Sequence, residues 1–127
     1  MMAVGILLVS HSEKVAEGVK DLIHQVVGDL PIEAAGGTDE GELGTSFEKI
    51  QTALEKVTEK AESTIVFYDL GSARMNAEMA IEITESDQIK LVSHPILEGA
   101  YLAAVEASID KSLEEILESL EKEFGKS

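Results

Sequence analysis

The sequence predicts an α/β domain built on a parallel sheet, and three observations carry that expectation. Short apolar runs alternate with amphipathic segments along the whole chain. The segments between the runs have the period of a helix, not of a strand. No repeat, low-complexity stretch or Pro/Gly-rich linker breaks the alternation, so residues 1–127 read as one domain. Alternation of this kind implies a parallel sheet with helices on both faces, joined by right-handed crossovers.

The elements follow in order. Val4–Val9 reads as a buried strand, and its unbroken apolar run, Ile6 to Val9, stops at Ser10-His11-Ser12. Val15, Val19, Leu22, Ile23 and Val26 then stand at i, i+4, i+7, i+8 and i+11, one face of a helix, and Gly28 can end it. Leu30–Ala35 reads as the second strand, and the Gly36-Gly37-Thr38-Asp39-Glu40-Gly41-Glu42 stretch as a loop. Thr45 and Glu48 form a capping-box pattern before a stripe of Phe47, Ile50, Leu54 and Val57. Thr64–Tyr68 is the third strand. A helix follows through Thr84, with Met75, Met79, Ala80 and Ile83 expected inward; helix-spaced methionines are core fillers. Gln88–Ser93 is a weaker fourth strand. Pro95 suits the first turn of a helix over Ile96–Ala107, whose Gly99, Ala100, Ala103, Ala104 and Ala107 permit close packing. A last helix carries Leu113, Ile116, Leu117 and Leu120 on one side and acidic residues on the other.

The simplest arrangement of this βαβαβαβαα order is flavodoxin-like, with strand order 2-1-3-4. Ligands bind such sheets at the carboxyl ends of the strands flanking the topological switch point, here strands one and three. His11 ends the first of these strands and Asp69 the second. A carboxylate that accepts from one imidazole nitrogen fixes the tautomer and leaves the other nitrogen as a nucleophile. His11 also stands at a helix start, where free N–H groups favour an anion and disfavour imidazolium. Ser72, with the Gly71-Ser72-Ala73 backbone, and Thr45 and Ser46 open two further helices on the same edge. Three helix starts around one imidazole describe an anion site, while one His and one Asp are too few for a metal. His24, amid polar positions, reads as solvated. His94, held extended before Pro95, reads as a helix cap or rim residue. Arg74 is either a surface charge or a contact to an acidic partner or phosphate.

The totals narrow the function. The chain holds 25 acidic and 10 basic side chains, a net charge of −15, which argues against nucleic acid and suits solubility or steering toward a basic partner. There are no cysteines, so disulfides and a thiol nucleophile are excluded, in keeping with a reducing cytosol. Met1-Met2-Ala3 lacks a basic lead, and the apolar run after it is too short for a signal or a membrane span. No Gly-x-x-x-x-Gly-Lys loop or carboxylate cluster is present to hold a nucleotide and magnesium.

Four stretches, Gly5-Ile6-Leu7-Leu8-Val9-Ser10-His11-Ser12, residues 36–47, residues 67–76 and residues 94–101, together resemble a known family. It is that of the phosphotransfer subunits of phosphoenolpyruvate-dependent dihydroxyacetone kinases, the DhaM family, within the mannose-type enzyme IIA fold. The resemblance runs from Val4 to about Ala107. It implies that His11 takes a phosphoryl group from phospho-HPr and that Asp69 orients the ring. It implies onward transfer to ADP held on the kinase's nucleotide subunit, DhaL. ADP and magnesium would thus belong to the partner, and no cofactor to this chain. It implies a homodimer. Some members carry HPr-like and enzyme I-like domains after this one; this chain shows neither and is expected to use separate HPr. Ser12, Thr45, Ser46, Gly71, Ser72 and Arg74 are the expected phosphate or partner contacts. Two readings compete. A IIA domain of a mannose- or sorbose-type transporter would share His11 and Asp69 but pass phosphate to a IIB domain; the Gly71-Ser72-Ala73-Arg74-Met75-Asn76 stretch argues against it. A flavodoxin-like regulatory module would need an acidic pair after strand one, where Ser10-His11-Ser12 stands.

Overall fold

The computed structural model describes residues 2–125. The order is β1 (Met2–Ser10), α1 (Glu13–Val27), β2 (Ile32–Gly36), α2 (Phe47–Lys60), β3 (Ala61–Tyr68), α3 (Gly71–Thr84), β4 (Ile89–Val92), α4 (Ile96–Ser108) and α5 (Leu113–Phe124). The four strands form one parallel sheet in the order β2-β1-β3-β4. The architecture is the one the alternation predicts. β1 and β3 start earlier than their apolar runs, because Ser63 and Thr64 are buried strand residues; the Thr64 N–H and the Ser63 hydroxyl both bond Gln88.

Side chains alternate across the sheet with the period of two that pleating imposes. Ile6 and Leu8 of β1 and Ile65 and Phe67 of β3 face α1, α4 and α5. Leu7, Val9 and Val66 face α2 and α3. The central strands are therefore apolar on both faces, which is why they read as continuous runs. Register fixes the site: Val9 lies opposite both Ala35 and Tyr68, so β1, β2 and β3 finish level.

Helix faces depart from the expected pattern in two places. In α1 the buried line is Ala16, Val19 and Ile23, and Val15, Leu22 and Val26 are exposed. Ala16 sits against the end of β2 at Gly36, and that close approach turns the small residue inward. In α3 the buried face is Ala73, Ala77 and Ala80, while Met75, Met79 and Ile83 are 72, 50 and 54% exposed. The helix lies close to α2 and the sheet, and only alanine fits beneath it. The methionines are not core.

The expected capping box is absent too. Ser46, not Thr45, caps α2, accepting from the Lys49 N–H at 3.2 Å. That places Glu48 one position too early to reach back, and Thr45 is drawn off to Asn76 of α3. A complete box closes α5 instead, from Ser112 and Glu115. His94 is neither cap nor rim. It is 4% exposed, its ring 6.1 Å from that of Phe124. The extended residue before Pro95 turns inward under α5, and burial lowers its pKa while Glu121 opposes the shift. His24 is half-buried, its Nε2 donating to the Leu30 carbonyl at 3.2 Å.

One glycine sets the fit between β2 and α1. A Cβ on Gly36 would lie 2.5 Å from the Ser12 carbonyl oxygen and 2.8 Å from the Glu13 Cα. Both are backbone atoms, so the helix start itself must shift. Gly36→Val should therefore cost about 2 kcal/mol, the usual price of overpacking, seen as a drop of roughly 5–10 °C in Tm. The shift of the helix start should reach His11 as well, because it directly precedes the displaced turn. Thermal melts beside the NMR signals of the His11 ring check both parts.

Candidate active site

β1 ends in a serine and a histidine because the strand must stop where α1 begins. Ser12 has extended backbone and caps α1, its Oγ accepting from the Val15 N–H at 3.2 Å. His11 is thus held between the last ladder residue and a helix cap. Its carbonyl accepts from the Gly44 N–H at 2.8 Å. Gly44 has φ 136°, a conformation that favours glycine, and the 37–45 loop is thereby tied to the histidine. Lys49 of α2 gathers the same edge, its Nζ donating to the Gly36 carbonyl at the end of β2 at 2.6 Å, to Glu13 of α1 at 2.9 Å and to the Thr38 carbonyl of the loop at 3.4 Å. Sequence reasoning missed Lys49, since no spacing rule joins it to the strand end.

Asp69 follows the last residue of β3, and its N–H donates to the Val9 carbonyl at 3.2 Å, extending the β1–β3 ladder by one step. That step brings its carboxylate to His11. Oδ1 is 3.0 Å from His11 Nδ1 and accepts from the Leu70 N–H at 2.7 Å. Oδ2 accepts from the His11 N–H at 3.0 Å and from the Ser10 hydroxyl at 2.7 Å. Partial burial raises the Asp69 pKa, but the bonds from the His11 ring, Ser10, the His11 N–H and the Leu70 N–H outweigh it, and the net pKa is lowered. The carboxylate is therefore ionised across the neutral range. A carboxylate at Nδ1 requires a proton there, so of the two neutral tautomers it selects the one with the lone pair on Nε2.

Nε2 faces the start of α3, where the Ser72 hydroxyl meets it. With the Nδ1–H tautomer, Ser72 donates and Nε2 accepts. Gly71 and Ser72 are the first two residues of α3, positions whose N–H groups have no acceptor within the helix. The His11 side chain is about one-fifth exposed. The arrangement presents an oriented imidazole nitrogen beside a helix start that favours negative charge.

Not every expected contact gathers there. Thr45 accepts from Asn76 Nδ2 at 2.8 Å, joining the loop to α3. Ser46 is buried and donates to Asp39 at 2.6 Å, so its hydroxyl serves the loop. Arg74 lies on the side of α3 toward Tyr68 and pairs with Glu78 at 3.4 Å. Among the described residues, no three His, Cys, Asp or Glu side chains converge as metal ligands would, and no helix is long and apolar enough to cross a membrane.

A family described as the PTS system fructose IIA component, EIIA-man, matches residues 5–117. The phosphoryl donor subunit DhaM of phosphoenolpyruvate-dependent dihydroxyacetone kinase 1 from Listeria innocua is 44% identical, over 91% of this chain and 91% of its own. The phosphotransferase subunit DhaM of the dihydroxyacetone kinase of Lactococcus lactis is 40% identical, over 95% and 96%. A solved protein of unknown function superimposes with TM-score 0.83 at 34% identity, over 99% and 98%.

Proposed function

This chain belongs to the EIIA-man family and, within it, to the DhaM phosphoryl donor subunits of dihydroxyacetone kinases, and on that premise we propose that it is a phosphohistidine carrier working through His11 Nε2. The observation that carries the reading is the His11–Asp69 contact, Nδ1 to Oδ1 at 3.0 Å, which in the neutral ring leaves Nε2 as the unprotonated nitrogen. The Nε2 lone pair attacks the phosphorus of the donor, phospho-HPr. The donor's P–N bond breaks, and its electron pair returns to the donor. The Nδ1 proton stays in place, held by Asp69, so no proton transfer is needed. Ser72, which donates to the lone pair in the resting site, turns to donate to a phosphoryl oxygen, and the Gly71 and Ser72 N–H groups add to it.

In the second step an oxygen of the ADP β-phosphate attacks the same phosphorus, and the P–Nε2 bond breaks with its electrons going to the ring. ADP and its magnesium ion reside on the nucleotide subunit DhaL. In-line placement and metal neutralisation are most of what the transfer requires, and a partner supplies both. Leu43 and Leu70 are exposed and are the chain neighbours of Gly44 and Asp69, which both bond the His11 backbone, and they suit contact with a protein surface. Ser12 acts as the cap that aims α1, Thr45 braces the loop against α3, and Arg74 lies at the rim of the docking face. The carrier acts in the cytoplasm as a homodimer.

The acceptor decides between this reading and a transporter IIA domain. Phosphorylated protein is mixed separately with free Mg-ADP, with the ADP-loaded kinase subunit and with a mannose-type IIB domain. Rapid loss of label to the ADP-loaded subunit alone is expected. Rapid loss to the IIB domain, with none to the kinase subunit, would assign the chain to sugar transport.

A further inference from the structure

We propose that Ser10 is a positioning residue for His11: its hydroxyl holds Oδ2 of Asp69 so that Oδ1 is the oxygen presented to the ring. Ser10 ends β1 and is fully buried, on the side of the strand that Leu8 lines with apolar packing. A hydroxyl at such a position costs stability unless it is bonded. Here it is bonded twice, and the two bonds have a direction. The Ser12 N–H donates to Ser10 Oγ at 3.0 Å. An N–H can only donate, so the hydroxyl proton goes to its other neighbour, Asp69 Oδ2, at 2.7 Å. A chain of bonds thus runs from the first turn of α1 through Ser10 and Asp69 to the imidazole.

The consequence is a division of labour within one carboxylate. Oδ2 takes two donors that β1 and its extension fix, the Ser10 hydroxyl and the His11 N–H. Oδ1 takes the Leu70 N–H and the ring. Without the hydroxyl, Oδ2 keeps one donor, and the carboxylate is free to turn about its Cβ–Cγ bond. Both the orientation of the ring and the preference for the Nδ1–H tautomer then weaken. A serine that merely filled space would have no such effect on a residue in another strand.

A pH signature follows. Among the described residues, His11 is the one titratable side chain acting on Asp69; the rest of its partners are Ser10 and backbone N–H groups. Protonated Asp69 cannot hold Nδ1–H as a carboxylate does, so the site fails as pH falls through the Asp69 pKa. Losing a donor to the ionised form raises that pKa. A hydrogen bond to a charged group corresponds to a shift of about one unit.

The test compares wild type, Ser10→Ala and Ser10→Thr in the unphosphorylated protein. Carboxyl carbon NMR follows the Asp69 titration, and ring nitrogen NMR reports the His11 tautomer. Ser10→Ala should raise the Asp69 pKa by about one unit, mix the His11 tautomers and lower the phosphorylation rate about tenfold, with the acid limb of the rate moved up. Ser10→Thr, which keeps the hydroxyl, should restore all of these. If Ser10→Ala does not fold, Ser10→Cys takes its place and should give a smaller shift in the same direction. An unchanged Asp69 titration and tautomer, with the loss confined to Tm, would overturn the proposal. The proposal's rate arm rests on the phosphohistidine reading, but the two NMR readouts do not. A wild-type protein that accepts no phosphate sinks that reading and leaves the Ser10 test standing.

Discussion

His11→Ala is expected to take up no phosphate at all from phosphoenolpyruvate, enzyme I and HPr, and the wild-type chain one group per molecule. The label on the wild type should be labile in acid and stable in base, as a phosphoramidate is. The effect is complete because, among the described residues, no second nucleophile is set up in the same way. The Ser72 hydroxyl meets Nε2 itself, so it loses its base when the ring goes. His94 is buried against Phe124, and His24 is held on the Leu30 carbonyl. His24→Ala and His94→Ala should keep full labelling of whatever fraction folds. The fold should survive His11→Ala, since the backbone bonds to Asp69 and Gly44 remain. Base-quenched labelling beside circular dichroism separates the two effects, and label on the folded His11→Ala protein would remove the central claim.

Asp69→Asn should retain the fold and slow phosphoryl transfer by roughly 10²-fold or more, short of the ~10⁴ seen for the matching change in a serine-protease triad. The protease histidine must take up and return a proton, whereas this ring only has to keep one. The carboxylate receives four donors, from Ser10, the His11 N–H, the Leu70 N–H and the ring. An amide turns one of its two positions into a donor, so some of these bonds must be lost. Where the amide nitrogen faces Nδ1, the ring proton moves to Nε2 and the nucleophile is blocked. Single-turnover rates from phospho-HPr measure the effect, and an unchanged rate would reduce Asp69 to a structural role. A stability difference accompanies it. The Asp69 pKa is lowered in the folded state, so its contribution to stability is full above the ordinary aspartate value and is lost as pH falls below about 4. Asp69→Asn should remove that part of the acid sensitivity.

The strand order and the pairing of His11 with Asp69 were legible because both follow from alternation. The βα order forces parallel strands, and the switch point then names the two strand ends without reference to chemistry. The faces of α1 and α3 were not legible, because periodicity reports which residues are apolar and not how near the sheet lies. Gly36 brings α1 close, and the alanines bring α3 close. In α3 small residues took the inner line and larger ones turned outward, and in α1 Ala16 took the inner place beside Val19 and Ile23. Ser10 and Lys49 escaped for another reason. A buried serine at a strand end looks like a break in an apolar run, and its partner is 59 residues away. Thr45 was assigned as a cap on local spacing alone, and a contact with Asn76, 31 residues on, decided otherwise.

The level ends of β1 and β3 also bear on how the molecule comes into being. The imidazole and its carboxylate are 58 residues apart in the chain, and α1, β2 and α2 all lie between them. Closing so long a loop is entropically unfavourable until the β1–β3 ladder rewards it, and parallel pairing of this kind is slow beside helix formation. A chain that has formed α1 but not that ladder holds a histidine with no carboxylate. Competence to carry phosphate therefore arrives with the central pairing of the sheet and not before. During refolding, the appearance of phosphorylatable protein should lag helical signal and keep time with the burial of Phe67.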